Sequence, residues 1–222
     1  MMGVGLFVTL CLWQIDRADE KQAMQALVEN RLQQPAFEYA GGELDIEMMK
    51  HRKVEMQGHF SNEGQVLIDN VVLEGKPGYQ VVTPFVFGNG QQVLVDRGWV
   101  PQGKTRDVLP DIDVDEAVVD IKGRVEKHRS KPVISVDKPS LDDGLRWFYI
   151  DTTYYKQTQG IEVPNFVIRL DAESPRGYER SDYAYDAKVG MHIGYAIQWG
   201  AFAVIAFVTW LGLSIKRQKQ DQ

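Results

Sequence analysis

The segment "HIGYAIQWGAFAVIAFVTWLG", residues 192 to 212, limits what this chain can fold into more than any other. From Ile193 to Ile215 no side chain carries a formal charge, and Gln198 is the one strongly polar group. Those 23 residues rise ~34 Å as an α-helix, enough to cross a ~30 Å hydrocarbon core with some tilt. Mean hydropathy over the whole chain is -0.30, the value of a soluble protein, so membrane character is local. Lys216, Arg217 and Lys219 follow the apolar run. By the positive-inside rule they put the C-terminus in the cytoplasm.

A second apolar run, "MMGVGLFVTLCLW", occupies residues 1 to 13. It spans only ~20 Å as a helix, and it lacks the basic start and small-residue cleavage site of a signal peptide. It is expected to be the outer part of a first transmembrane helix whose start is short or truncated. The expected plan is residues 1–13 in that helix, 14–191 as an extracytoplasmic domain, 192–215 as the second transmembrane helix, and 216–222 as a cytoplasmic tail. The net charge is -6 and the tail is basic, so the acidity falls on the outer domain. Such a domain is a poor partner for nucleic acid, which leaves membrane lipid as the expected surface. The single cysteine, Cys11, sits in the first apolar run. The outer domain therefore has neither a disulfide nor a thiolate pair for a metal.

After an amphipathic helical stretch at 16–34, ended by Pro35, the period changes. "RKVEMQGHF", "QVLIDN", "GYQVVTPFVF", "QQVLVDRGWV" and "VVDIKGRVE" are rich in Val, Ile, Phe and Tyr and are separated by Gly, Asn and Pro. These are strand signals, and "FGNGQ" reads as a hairpin turn. A polar loop is expected at 101–116, a short helix capped by Asp151, a closing strand at 163–170 and a polar linker at 171–188. The expected class is an α+β membrane protein with an antiparallel β-rich domain, a sheet or partly closed barrel, between two transmembrane helices.

"LWQIDRADEK", "VEMQGHF", "GYQVVTPF", "VLVDRGWVP", "RWFYID", "VPNFVIRLD" and "HIGYAIQW" occur in that order. Together they resemble the surfeit locus protein one family, assembly factors of cytochrome c oxidase. With no mitochondrial targeting peptide, the likeness is to a bacterial member. The resemblance implies a non-enzymatic, multi-pass protein of the bacterial inner membrane with a periplasmic main domain. It implies the oxidase catalytic subunit as partner, with heme a synthase as a second. It also implies heme a bound by a histidine at the start of the second span, a position matched here by His192. The alternative is an oxidase-subunit scaffold that binds no heme.

Helix geometry gives the candidate site some substance. From His192, the positions Tyr195, Ala196, Trp199 and Ala203 fall on one helical face, and an imidazole above aromatic and small residues suits a flat macrocycle. Neutral imidazole is also an axial ligand of heme iron. A histidine at a membrane boundary is equally at home among headgroups, where Tyr and Trp are enriched. Trp13 and Gln14 end the first span on the same side. Gln14 is open to bonding a propionate or the imidazole, and Trp13 to anchoring at the interface. Arg97 in "DRGWVP" has two readings. In one it pairs with a neighbouring acid beside a bulge at Gly98; in the other it grips propionates. His51, His59 and His128 read as surface or strand residues with no metal-site spacing.

Enzyme chemistry finds no support: there is no nucleophile elbow, phosphate loop or Cys/His cluster. The topology is tested by reporter fusions after Val100 and after Gln222. They should report opposite sides of the membrane, and two cytoplasmic signals would refute the membrane plan.

Overall fold

In the computed structural model, residues 2–129, 131, 138–141, 144–180 and 187–220 are described. Residues 181–186 of the expected linker and the last two residues of the tail lie outside them. Contacts divide the chain into two compact units, Met1–Asn30 with Ala184–Gln222, and Arg31–Tyr183.

Strands with alternating burial and strands buried almost throughout together build the second unit. Strand β2 (Lys53–Phe60) alternates exposed and buried residues, sending Val54, Met56 and Phe60 to one side. Strands β4 (Lys76–Val86), β5 (Gln92–Pro101), β6 (Val119–Glu126) and β8 (Val167–Leu170) join it in the order β2–β6–β8–β5–β4, and β4 pairs back to β2. The result is a closed five-stranded barrel. Closure runs through His59↔Val86 and Phe60↔Phe85. It needs Gly58, where an added Cβ would lie 2.3 Å from the Val86 carbonyl oxygen. The interior holds Phe60, Phe85, Val93, Val95, Ile121, Phe166 and Ile168. Phe60 and Phe85 meet edge to face at 5.1 Å, the arrangement that the ring quadrupoles favour.

A sheet or partly closed barrel with antiparallel strands was expected; the barrel is fully closed, and its strands are not all antiparallel. β5 and β8 run parallel, as do β1 (Phe37–Glu38) with β2, and β3 (Val66–Leu73) with β7 (Arg146–Trp147). Parallel neighbours require long connections, and more than sixty residues separate β5 from β8. The two-residue strands β1 and β7 are too short to give a periodic signal. The Phe87–Gln91 turn between β4 and β5 is a hairpin as expected.

Helix α3 (Thr152–Gln159) covers the outer barrel face. The Asp151 side chain accepts from the Tyr154 amide, and Gly160 closes the helix at φ 73°, the left-handed position that glycine fills without strain. Trp147, Tyr155, Ile68 and Val82 form a second core beneath it. The short helix α2 (Ile46–Met49) is capped by Asp45. The 101–116 loop is less polar in effect than in composition, because Val114 is buried in the barrel interior and Ile112 in a third cluster with Leu67, Tyr79, Val81 and Val100.

Arg97 joins these parts. A register shift in the β4–β5 pairing leaves it as the extra residue between Val82↔Asp96 and Val81↔Gly98. Its side chain is turned inward and is only 3% exposed. Nε donates to the Arg176 carbonyl at 2.8 Å; one terminal nitrogen reaches the Ile112 carbonyl at 3.0 Å, Gln65 Oε1 at 3.2 Å and Thr83 Oγ1 at 3.4 Å. The guanidinium lies over the rings of Tyr178 (4.8 Å) and Phe60 (5.4 Å). Pairing with an acid, the sequence expectation, is not what the barrel provides: these oxygen acceptors are neutral. Burial pulls the Arg97 pKa down, opposed by the nearby Tyr178 hydroxyl, yet a guanidinium stays charged. The bulge at Gly98 is as expected. Its φ is 117°, and a Cβ there would meet Glu179 O and Arg180 Cγ at 2.8 Å.

In the first unit, helix α1 (Met2–Gln33) is continuous, where a short span and a separate amphipathic helix were expected. Helix α4 (Val189–Gln220) contains the run Val189–Arg217, whose most apolar 18-residue stretch has a mean hydropathy of 1.7. Among the described residues it is the one helix long and apolar enough to cross a membrane. Ile197, Val204, Ile205 and Val208 on it are exposed, as lipid-facing side chains would be.

Replacing Arg97 should disturb the whole β unit. Arg97→Ala should destabilise it by about 3–5 kcal/mol, from the cavity and the unsatisfied buried acceptors. Arg97→Lys should recover less than half, because an ammonium cannot reproduce the fork. The shift of the urea midpoint of the full chain measures both.

Candidate functional site

The face expected to receive a macrocycle is also a helix-packing seam. On α4 the less exposed positions His192, Ala196, Trp199 and Ala203 recur three and four residues apart; on α1 so do Phe7, Cys11, Gln14 and Ala18. That spacing is the signature of two helices packed along a heptad seam. His192 Nδ1 lies 2.8 Å from Gln14 Oε1. Seven residues along each helix, in opposite chain directions, Trp199 stacks on Phe7 with centroids 5.9 Å apart and planes 19° from parallel. Phe202 completes the aromatic cluster. The two helices are therefore antiparallel and in fixed register.

Gln14 is 8% exposed. A primary amide buried in an apolar seam is costly unless hydrogen-bonded, and His192 supplies the bond. His192 itself is half-buried. Among the described residues its Nε2 makes no hydrogen bond. Tyr195 and Trp13 are 46% and 49% exposed. By helical position they fall on one flank of the His192–Gln14 pair, Tyr195 three residues on from His192 and Trp13 just before Gln14. Arg17, one turn beyond Trp13, sets its guanidinium 5.8 Å from the indole centre and pairs with Glu20 at 2.6 Å. The opposite flank is an apolar groove of about 370 Å³ lined by Cys11, Ile15, Ile193 and Ile197, with Asp19 and Gln22 also at its wall.

The structure thus brings His192, Gln14 and Trp199 onto one seam and leaves Tyr195 and Trp13 exposed. Sequence reasoning missed Phe7 and Arg17. The heptad spacing through Phe7, Cys11, Gln14 and Ala18 was the available signal, hidden because Gln14 interrupts the apolar pattern.

The other histidines lie in the β unit. His51 is not at the surface as expected. It is 3% exposed, with Nδ1 3.0 Å from Glu126 Oε1, which also accepts from Arg124 Nε at 3.1 Å. His51 sits in a turn whose amide bonds the Val125 carbonyl, and that pulls its ring under β6. His59 lies in β2 at the barrel closure. His128 is half-buried and contacts the Pro164 carbonyl at 3.3 Å; burial pulls its pKa down to about 4, partly opposed by that carbonyl. Among the described residues no group of three or more His, Cys, Asp or Glu side chains is placed to hold a metal ion. One carboxylate is half-buried within strand β5. Asp96 points from β5 towards Gln80, which donates to it, and burial raises its pKa.

Residues 1–204 match the SURF1 family. The chain belongs to that family. It is similar to an uncharacterised SURF1-like protein of Mycobacterium bovis, 29% identical over 156 residues, which cover 70% of this chain and 56% of the relative. The chain therefore spans just over half the length of that relative. It is also similar to a SURF1-like protein of Rickettsia bellii (22% identical, 92% of this chain and 85% of the relative). A third likeness is to surfeit locus protein 1 of Xenopus tropicalis (22% identical, 94% and 72%).

His128 makes the SURF1 domain sensitive to acid. Its folded pKa, about 4, lies below the unfolded value of ~6.5, so between these the unfolded chain binds more protons. Stability is full above pH ~6.5 and falls as the pH drops towards 4, by of order 1–2 kcal/mol for a half-buried ring. His128→Asn should flatten that limb of the stability–pH curve, measured by urea titration at pH 7 and pH 4.5.

Proposed function

We propose that this SURF1 protein is a membrane-anchored, non-enzymatic assembly factor for heme-copper cytochrome c oxidase. In this reading it holds heme a at His192 and passes it to the oxidase catalytic subunit, with heme a synthase as the donor. Both helices cross the bacterial inner membrane, and the β barrel lies on the periplasmic side. The observation that carries the reading is the His192–Gln14 hydrogen bond at the start of the apolar helix. It occupies Nδ1 and leaves the second ring nitrogen for a metal.

The residues fit a heme by their chemistry. Imidazole is a common proximal ligand of heme iron. Tyr195 and Trp13 are exposed aromatic surfaces beside it, and Arg17 supplies a guanidinium suited to propionate carboxylates. Bound heme a would supply the redox-active iron and a large apolar face; the chain binds, orients and shields it.

A second reading is a scaffold for the oxidase subunit that binds no heme. It is favoured by one observation. Trp199 is stacked on Phe7, and Ala196 and Ala203 are buried, so the expected macrocycle face is taken up by helix packing. A heme would then have to lie on the Tyr195 flank.

The experiment is an absorption spectrum of the protein purified from cells that make heme a. His192→Ala should lose most of the bound-heme absorbance, about tenfold or more, and change the axial-ligand bands, while helix and strand content stay unchanged. Tyr195→Ala should weaken binding and keep the ligand signature, and His128→Ala should leave the spectrum as it is. Full occupancy with an unchanged spectrum in His192→Ala would favour the scaffold.

A further inference from the structure

The bond between Gln14 and His192 sets more than helix register. A neutral imidazole carries one proton, and the position of that proton decides which nitrogen can bind a metal. Gln14 presents its carbonyl oxygen to Nδ1 at 2.8 Å, and a carbonyl only accepts. With the amide oxygen in this position, the neutral ring that makes the bond carries its proton on Nδ1, and Nε2 keeps its lone pair. Burial of Gln14 in the seam, with Ala18 buried one turn on, restricts the freedom of the amide to leave this geometry.

We infer that Gln14 is the positioning residue of His192: its side-chain carbonyl holds the imidazole in the Nδ1–H tautomer, so that Nε2 is presented as the donor to a metal centre. The identity of that centre as heme rests on the functional reading above. Partners of this kind orient metal-ligating histidines and raise ligand basicity, and their loss typically costs ~10–100-fold in affinity. A stronger acceptor should push more electron density onto the iron and favour its ferric state.

Two measurements on the full chain in lipid nanodiscs test this. The first is the ¹⁵N imidazole spectrum of the heme-free protein at pH 8, with the His192 signals assigned by their loss in His192→Ala. Wild type should show a protonated Nδ1 and a bare Nε2, and Gln14→Leu should move the proton towards Nε2. The second is titration with hemin followed by redox potentiometry. Gln14→Leu should raise the hemin Kd about 10–100-fold and raise the midpoint potential. Gln14→Glu, whose carboxylate when ionised accepts only, should at pH 8 keep tight binding and lower the potential below wild type. The potential also guards against helix separation in Gln14→Leu, since packing alone would not give Leu and Glu opposite shifts. If His192→Ala binds hemin like wild type, the heme reading fails and the inference falls with it. If His192→Ala loses hemin while both Gln14 variants keep the wild-type tautomer and potential, the inference alone is overturned.

Discussion

The buried guanidinium of Arg97 is the contact on which the β unit depends. It lies where the β4–β5 register shifts and gathers oxygens from four separate places: Gln65 before β3, Thr83 in β4, Ile112 in the long loop and Arg176 beyond β8. The cost of taking a cation out of water is offset only when its donors are satisfied. Here carbonyl dipoles and two aromatic faces do that in place of a counter-ion. One consequence is that the loop and the segment after β8 are ordered against the barrel without secondary structure of their own. Another is that a bulge, which alone would weaken a strand, becomes the place where the barrel is fastened.

The helical unit uses a polar contact differently. Apolar contacts such as those of Phe7, Trp199, Ala196 and Ala203 are non-directional and by themselves define the register of a seam only loosely. The Gln14–His192 hydrogen bond does not tolerate sliding: one residue of slip would leave an amide and an imidazole unpaired in an apolar setting. The same contact that sets register therefore also sets the orientation of the imidazole. This economy makes His192 a better ligand candidate than its place near the start of the apolar helix alone would suggest.

Set beside its SURF1 relatives, the chain combines a small closed barrel with an apolar helix that begins at a pre-oriented histidine. The barrel offers no metal cluster among the described residues, and its buried charges are engaged in holding it together. The chemistry that could handle a cofactor lies in the helical unit, where exposed aromatics and a cation flank one imidazole.

The local periodicities were legible in the chain itself. Alternation along 53–60, the apolar run along 92–101, the hairpin at Phe87–Gln91, the Asp151 cap and the uncharged run after His192 depend on neighbours a few residues apart. Backbone geometry turns such spacing directly into structure. The family resemblance also singled out His192, helical spacing from it Trp199, the end of the first apolar run Gln14, and the motif "DRGWVP" Arg97. Their partners were beyond sequence reasoning. Closure of β4 on β2, the parallel seating of β8 on β5, and the neutral oxygens around Arg97 join segments separated by tens of residues. Gln14 and His192 stand 178 positions apart. Which of several compatible groups meets a polar side chain is settled by how the packed elements bring distant segments together, and only the tertiary structure fixes that.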